Sequence, residues 1–207
     1  MITKRELIDF ETEIGDLFNA AKIKAPIHLY ANNEENIMRV FEKIDIEKDW
    51  VCCTWRNHYQ ALLKGIPTEL LKEKIMQGKS MVMNLPEYKF ICSSIVGGIP
   101  SIATGIALAA KLKGSGERVW CWTGDMSAET GAWSESYRYA VAQDLPITFV
   151  VEDNELSVMT PTHEVWGSHK WYLPVQGLSY YESPHLIYYK YKNEKYPHAG
   201  AGRRVQF

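Results

Sequence analysis

Two short polar turns hold the residue types that could do chemistry. Gly124-Asp125-Met126-Ser127 follows an apolar run at 118–123, and Asp153-Asn154-Glu155-Leu156 follows a second at 147–152. A helical pattern at 129–143 lies between them, so strand, helix and strand fit into about 35 residues, the length of a βαβ unit. Such a unit sets both turns at the carboxyl edge of a parallel sheet, where ligands of open α/β sheets bind. Asp125 and Asn154 are 29 residues apart in the chain, a separation that the βαβ unit closes. A carboxylate, an amide oxygen and a nearby backbone carbonyl are hard donors suited to Mg²⁺, with ligand phosphate oxygens completing the octahedron. A helix beginning near Ala128 would aim its free N–H groups at the same place, which suits a diphosphate. Taken alone, a turn aspartate and a capping asparagine account for the same residues.

The elements that must position these turns are legible from pattern. Thr3-Lys-Arg-Glu6 is a capping box, with Leu7, Phe10, Ile14, Leu17 and Phe18 following at helical spacing. A second helix is expected after Asn32-Asn33, carrying Ile37, Val40, Phe41 and Ile44 on one face. Trp50 to Trp55 reads as a buried strand. Pro67-Thr-Glu opens a helix with Leu70, Leu71 and Ile75 inward, stopped by Gly78. The small-residue helix 100–113 ends at Gly114, a last strand is expected at 185–191, and the aromatic stretch 160–184 reads as a loop containing Trp166, Trp171, Tyr172, Tyr180 and Tyr181. The fold class is therefore α/β, a three-layer parallel sheet with helices on both faces. A single domain spanning 1–207 is expected, with a helical amino-terminal segment over about residues 1–50.

Composition excludes several classes. Of 207 residues, 25 are acidic and 23 basic, for a net charge of −2. That balance gives no support to nucleic-acid binding, which relies on excess Lys and Arg. The longest apolar stretch, 95–110, falls short of the ~20 residues that span a bilayer, and the amino end lacks the apolar run of a signal peptide. A cytoplasmic protein that avoids membranes is the expectation. Cys52, Cys53, Cys92 and Cys121 show no CxxC spacing, and neighbours such as 52 and 53 could bridge each other only with strain, so buried reduced thiols are expected.

Gly124-Asp125, a βα segment and then Asp153-Asn154 resemble the thiamine-diphosphate signature, Gly-Asp-Gly followed downstream by Asn-Asn. Residues 94–113 look like the segment that precedes this signature in α subunits of 2-oxoacid dehydrogenases. Trp55-Arg56-Asn-His58 resembles their Tyr-Arg-x-His, Gly78-Lys-Ser80-Met81 their Gly-Gly-Ser-Met, and Leu145-Pro146-Ile147 also fits. The resemblance covers about residues 26–165 in the right order, to a family that is pyruvate dehydrogenase α-like and related to transketolase. It implies a thiamine-diphosphate-binding fold, of which this chain is the diphosphate-binding half.

The resemblance also implies roles. Asp125, the side chain of Asn154 and the carbonyl of Leu156 would bind Mg²⁺. Backbone at Met126 and Ser127 would hold the diphosphate, with Trp55 beside the cofactor and Arg56 paired to the phosphates. Ser94 and Val96 would grip the aminopyrimidine through the Ile95-Val96-Gly97 turn. Three catalytic residues are implied: His28, in the place of a family active-site histidine, His58, in the Tyr-Arg-x-His match, and His198, in Tyr196-Pro-His198-Ala-Gly, where a late histidine loop is expected. His163, His169 and His185 read as structural. The glutamate that activates the cofactor would come from a β-type subunit, as an α2β2 assembly acting on a 2-oxoacid. The acyl group would pass to a lipoyl domain or, in a carboligase, to an aldehyde, ketone or sugar. Three positions depart from the pattern: Met126 replaces a glycine, Asp153 an asparagine, and Val82 a histidine after Ser-Met. Met126 must point its side chain away from a diphosphate, Asp153 brings charge beside the metal, and Val82 removes a proton-transfer group. Met126 and Val82 motivate a further alternative, a cofactor-free structural or regulatory partner.

Overall fold

The computed structural model describes residues 2–167 and 177–206; Trp171, Tyr172 and His169 lie outside the described residues. In chain order the elements are α1 (Lys4–Asn19), α2 (Glu34–Phe41), β1 (Trp50–Cys53), α3 (His58–Leu63), α4 (Thr68–Met76), β2 (Asn84–Leu85) and β3 (Phe90–Cys92). They continue with α5 (Gly98–Lys113), β4 (Val119–Gly124), α6 (Asp125–Ala128), α7 (Gly131–Ala142), β5 (Ile147–Asp153), β6 (Leu156–Ser157), β7 (Thr160–Pro161), α8 (Thr162–Trp166), β8 (Tyr180–Ser183) and β9 (Leu186–Lys190). Two compact units result, one of Met1–Glu47, Trp55–Ser94 and Lys192–Phe207, the other of Lys48–Thr54 and Ile95–Tyr191.

The first unit is helical. The Thr3 hydroxyl accepts from the Glu6 N–H at 3.2 Å while the Glu6 carboxylate accepts from the Thr3 N–H at 2.7 Å, closing the capping box that starts α1. The inward stripe Leu7, Phe10, Ile14 and Phe18 also contains Glu11, buried among them. Every residue of α3 is buried, as befits a helix covered on all sides. Leu70 of α4 is half-buried rather than fully inward, beside buried Leu71 and Ile75. A two-residue antiparallel hairpin joins β2 to β3, too short to leave a periodic signal in the sequence. The carboxyl-terminal segment lies along residues 27–29. Gly200 N–H donates to the Ile27 carbonyl at 2.8 Å and the Asn193 amide to the Leu29 carbonyl at 3.1 Å.

The second unit holds a mostly parallel sheet with helices packed on it. Strands β1, β4, β5 and β9 run parallel in that spatial order, and β8 is added antiparallel to β9. Every residue of β5 is buried, and β4 is buried up to Gly124, which is why both read as unbroken apolar runs. Asp49 ties the start of β1 to that of β4, accepting from the Arg118 N–H and the Trp120 indole N–H, each at 3.0 Å. Trp133 of α7 stacks on Tyr137 at 5.1 Å and meets Phe149 of β5 edge-on at 5.5 Å, an aromatic packing that fixes α7 on the sheet. On α5, Ala103, Ala107 and Ala110 are buried where the helix packs against β4 and α7, while Gly105 and Ala109 face outward.

Several boundaries differ from expectation. The strand expected over Trp50 to Trp55 stops at Cys53. The helix expected at 129–143 is α7, two residues shorter at its start, and the separate helix α6 precedes it; the Thr130 hydroxyl donates to the Ser127 carbonyl and accepts from the Trp133 N–H, ending α6 and capping α7. The stretch expected as a loop contains β7, α8 and β8. All four cysteines are buried and outside any disulfide, as expected. No helix of the described residues is long and apolar enough to cross a membrane.

Glycines flank α5 at both ends. Gly97, with φ +72°, would place a Cβ only 3.0 Å from the Thr130 hydroxyl, whereas Gly114, with φ +60°, has open space around it. Gly114→Ala should therefore lose about 1 kcal/mol through backbone strain alone. Gly97→Ala should lose more, about 2–3 kcal/mol, because the Thr130 cap must also move. Urea unfolding of both variants checks the order.

Candidate functional site

The register of β4 on β5 pairs Gly124, the last residue of β4, with Glu152, one residue before the end of β5, so the two strands end within one residue of each other and their following turns are neighbours. Asp125 opens α6 and is 2% exposed. The helix that turns N–H groups to this edge therefore begins at the aspartate itself, three residues before Ala128. Ser127 is buried and Met126 half-buried. The Met126 sulfur accepts from the Trp166 indole N–H at 2.9 Å, so the side chain that replaces a signature glycine is engaged by α8.

Across the edge, Asn154 is half-buried and its Oδ1 accepts from the Leu156 N–H at 3.2 Å, forming an Asx turn. Asp153 is fully buried. Its Oδ1 accepts from the Glu155 N–H at 2.9 Å and its Oδ2 from the Tyr188 hydroxyl, so both oxygens build the turn. Burial and the bond to Asp153 push the Tyr188 phenol well above its ordinary range, which keeps it a donor. Glu155 (φ +60°) and Val158 (φ +57°) both have left-handed backbones. For a β-branched valine that conformation is costly and persists only where its surroundings impose it. The Thr162 hydroxyl donates to Asp125 Oδ2.

Among the described residues, no group of three His, Cys, Asp or Glu side chains could hold a metal ion. A divalent cation at this edge would have the Asp125 carboxylate, the Asn154 amide oxygen and the Leu156 carbonyl, and would need phosphate oxygens to complete its shell. That donor set fits Mg²⁺ with a diphosphate and suits a self-sufficient protein cage poorly.

The remaining expected residues belong largely to the first unit. His28, Trp55 and His198 form one aromatic cluster, with ring centroids 4.9 Å apart for His28–His198, 6.0 Å for His28–Trp55 and 6.2 Å for Trp55–His198. Arg56 is buried, lies 5.8 Å over the Tyr30 ring and donates to the His198 carbonyl at 3.2 Å. His28 is 7% exposed and its Nδ1 makes no hydrogen bond among the described residues. Burial, followed by the Arg56 charge, drives its pKa down to about 3. The same causes lower His198.

His58 is placed differently. It is fully buried, with Nδ1 2.9 Å from Glu11 Oε2 and Nε2 2.8 Å from Ser80 Oγ. The order Ser, His, Glu is that of a nucleophilic triad, but Ser80 is 0% and Glu11 1% exposed. Glu11 also accepts from the Tyr30 N–H at 3.0 Å, so the relay ties α1 to α3 and to the segment carrying His28. Val82 is exposed. Ser94 and Val96 are exposed too, Val96 just before α5. His163 is exposed, and His185 bonds the Ile147 carbonyl at 3.0 Å.

Glu11 and Thr162 were not singled out in the sequence. Glu11 had a usable signal: it follows Leu7 by four residues and precedes Ile14 by three, on the buried side of α1. Thr162 follows a proline and looks like any helix start.

Residues 3–177 match the family model described as Dehydrogenase E1 component. The α subunit of the pyruvate dehydrogenase E1 component from Porphyra purpurea is 32% identical over 173 residues, covering 75% of this chain and 50% of that protein. The α subunit of acetoin:2,6-dichlorophenolindophenol oxidoreductase is 28% identical in Cupriavidus necator, covering 72% of this chain and 48% of that one. The Bacillus subtilis subunit of that name is also 28% identical, covering 75% and 50%. This chain thus spans about half the length of the curated relatives it matches. A solved thiamin diphosphate-dependent enzyme isolated from Mycobacterium smegmatis overlays 63% of this chain and 22% of its own at 20% identity and a TM-score of 0.43, a likeness too slight to add to what the sheet topology shows.

The depressed pKa of His28 has a measurable consequence. Between its ordinary 6.5 and about 3, the unfolded chain takes up a proton at this residue and the folded chain does not, so stability falls as pH drops through that window. By nuclear magnetic resonance, the His28 imidazole should stay neutral from pH 8 to 5, and His28→Gln should flatten the acid side of the stability profile. Titration of His28 near 6.5 would contradict this.

Proposed function

For a chain that belongs to the Dehydrogenase E1 component family, we propose the role of α-type subunit in a two-component enzyme that decarboxylates a 2-oxoacid and transfers the acyl group. That family depends on thiamine diphosphate, and the reading extends to Mg²⁺. The register that ends β4 and β5 within one residue of each other, and so sets Asp125 beside the Asn154 turn, carries it.

When bound, the cofactor supplies a nucleophilic carbon and an electron sink. In this reading the chain's own residues bind and orient. Asp125, Asn154 and the Leu156 carbonyl would hold Mg²⁺ on the diphosphate, and the N–H groups of Met126 and Ser127 would donate to the phosphates. As the family resemblance implies, Arg56 would add a charge-assisted pair and Trp55 a cofactor contact, while Ser94 and Val96 would hold the aminopyrimidine through their backbone. His28 and His198, kept neutral by burial and by Arg56, can orient substrate through hydrogen bonds to uncharged imidazoles. His58 has both ring nitrogens engaged inside the fold, so it is assigned a positioning role. A β-type partner supplies the activating glutamate in an α2β2 assembly.

The relatives' names include both pyruvate and acetoin as substrates. Pyruvate, its branched homologues and acetoin, each with dichlorophenolindophenol as electron acceptor, are therefore the compounds to screen. Calorimetric titration of thiamine diphosphate with Mg²⁺ into this chain co-expressed with a β-type subunit is the test. Tight binding that requires Mg²⁺ and falls at least roughly 100-fold in Asp125→Ala is expected, since the sole carboxylate donor is lost. Absence of binding by the wild-type pair would replace this reading with that of a cofactor-free structural partner.

A further inference from the structure

Resting on that reading, we infer that Thr162 is a positioning residue that locks the two metal-bearing turns into one geometry. Thr162 is 5% exposed and is the first residue of α8. Its hydroxyl donates to Asp125 Oδ2, in the turn after β4. Its backbone N–H donates to the Glu155 carbonyl at 3.0 Å, in the turn after β5. A single residue thus joins both turns, once through its side chain and once through its backbone.

The chain around Thr162 is shaped to present it. After Asn154 the backbone turns back through left-handed Glu155 and Val158, and the β6–β7 ladder pairs Leu156 with Pro161 and Ser157 with Thr160. That reversal brings Thr162 to Asp125, 37 residues earlier in the chain. One helical turn on, Trp166 bonds the Met126 sulfur at 2.9 Å, so α8 is anchored twice on consecutive residues of α6. The hydroxyl fixes the torsion of the Asp125 carboxylate and engages one of its oxygens. The N–H on Glu155 fixes the peptide that lies between the two other donors, Asn154 and Leu156. A ligand set held in this way binds its ion without first being ordered, and outer partners of this kind set metal affinity by about 10–100-fold.

The test compares Thr162→Ser, which keeps the hydroxyl, with Thr162→Val and Thr162→Ala, which lack it. Each is made in the complex with the β-type subunit. Mg²⁺ is titrated calorimetrically at saturating thiamine diphosphate, and amide hydrogen exchange at Glu155 and Leu156 is followed without cofactor. Wild type and Thr162→Ser should agree, while Thr162→Val and Thr162→Ala should need about 10–100-fold more Mg²⁺ and exchange faster at the turn. A residue that merely stabilised the fold would lower the melting temperature without moving the Mg²⁺ midpoint. If Val disturbs folding, the smaller Ala supplies the same comparison. Unchanged Mg²⁺ affinity in the hydroxyl-free variants overturns the inference and leaves the proposed function standing. A wild-type complex with no Mg²⁺-dependent binding overturns both.

Discussion

Parallel neighbours in a sheet share direction, so when both strands stop at the same level the chain leaves them at the same edge. In this protein β4 ends at Gly124, paired with Glu152, one residue before β5 ends at Asp153, and everything at the candidate metal site depends on that register. A slip of one residue would turn each side chain of the slipped strand to its other face. Buried Val150 and Val151 on β5 and buried Cys121 and Trp122 on β4 make such a slip costly. The apolar strands therefore fix the placement of polar groups that contribute little to folding. Asp125 is affordable as a buried carboxylate because it opens α6 and accepts from Thr162.

The helical unit solves a related problem with a different device. Glu11 sits in an apolar stripe, where an unsatisfied carboxylate would cost several kcal/mol. His58 and the Tyr30 backbone each take one of its oxygens, and Ser80 engages the far nitrogen of His58. The result is a rigid frame around the segment bearing His28. Within that frame burial, followed by the positive charge of Arg56, which is held by Tyr30 and His198, keeps the neighbouring imidazoles neutral.

What the sequence made legible follows from which forces act locally. The capping box of Thr3 and Glu6, the buried runs of β4 and β5, and the stop at Gly114 are written in consecutive residues. Asp125 and Asn154 were readable because a βαβ unit has few ways to close. Short pairings such as β2–β3, and the antiparallel addition of β8, rest on partners distant in the chain and leave no period to detect. The break between α6 and α7 depends on one hydroxyl, that of Thr130. Asp153 looked like unwelcome charge beside a metal until Tyr188 and the Glu155 N–H were seen to occupy its oxygens. Met126 looked like an obstruction until Trp166 was seen to engage its sulfur. In each case the missing information was a long-range contact that spacing alone does not encode.

The central claim is that Asp125 and the Asn154 turn share one ion with a diphosphate. Replacing Mg²⁺ by Mn²⁺ in the complex and measuring electron–nuclear double resonance from phosphorus tests it directly. Phosphorus couplings from bound thiamine diphosphate that vanish in Asp125→Asn are the predicted result. Mn²⁺ bound without phosphorus coupling, or couplings that persist in Asp125→Asn, would contradict it.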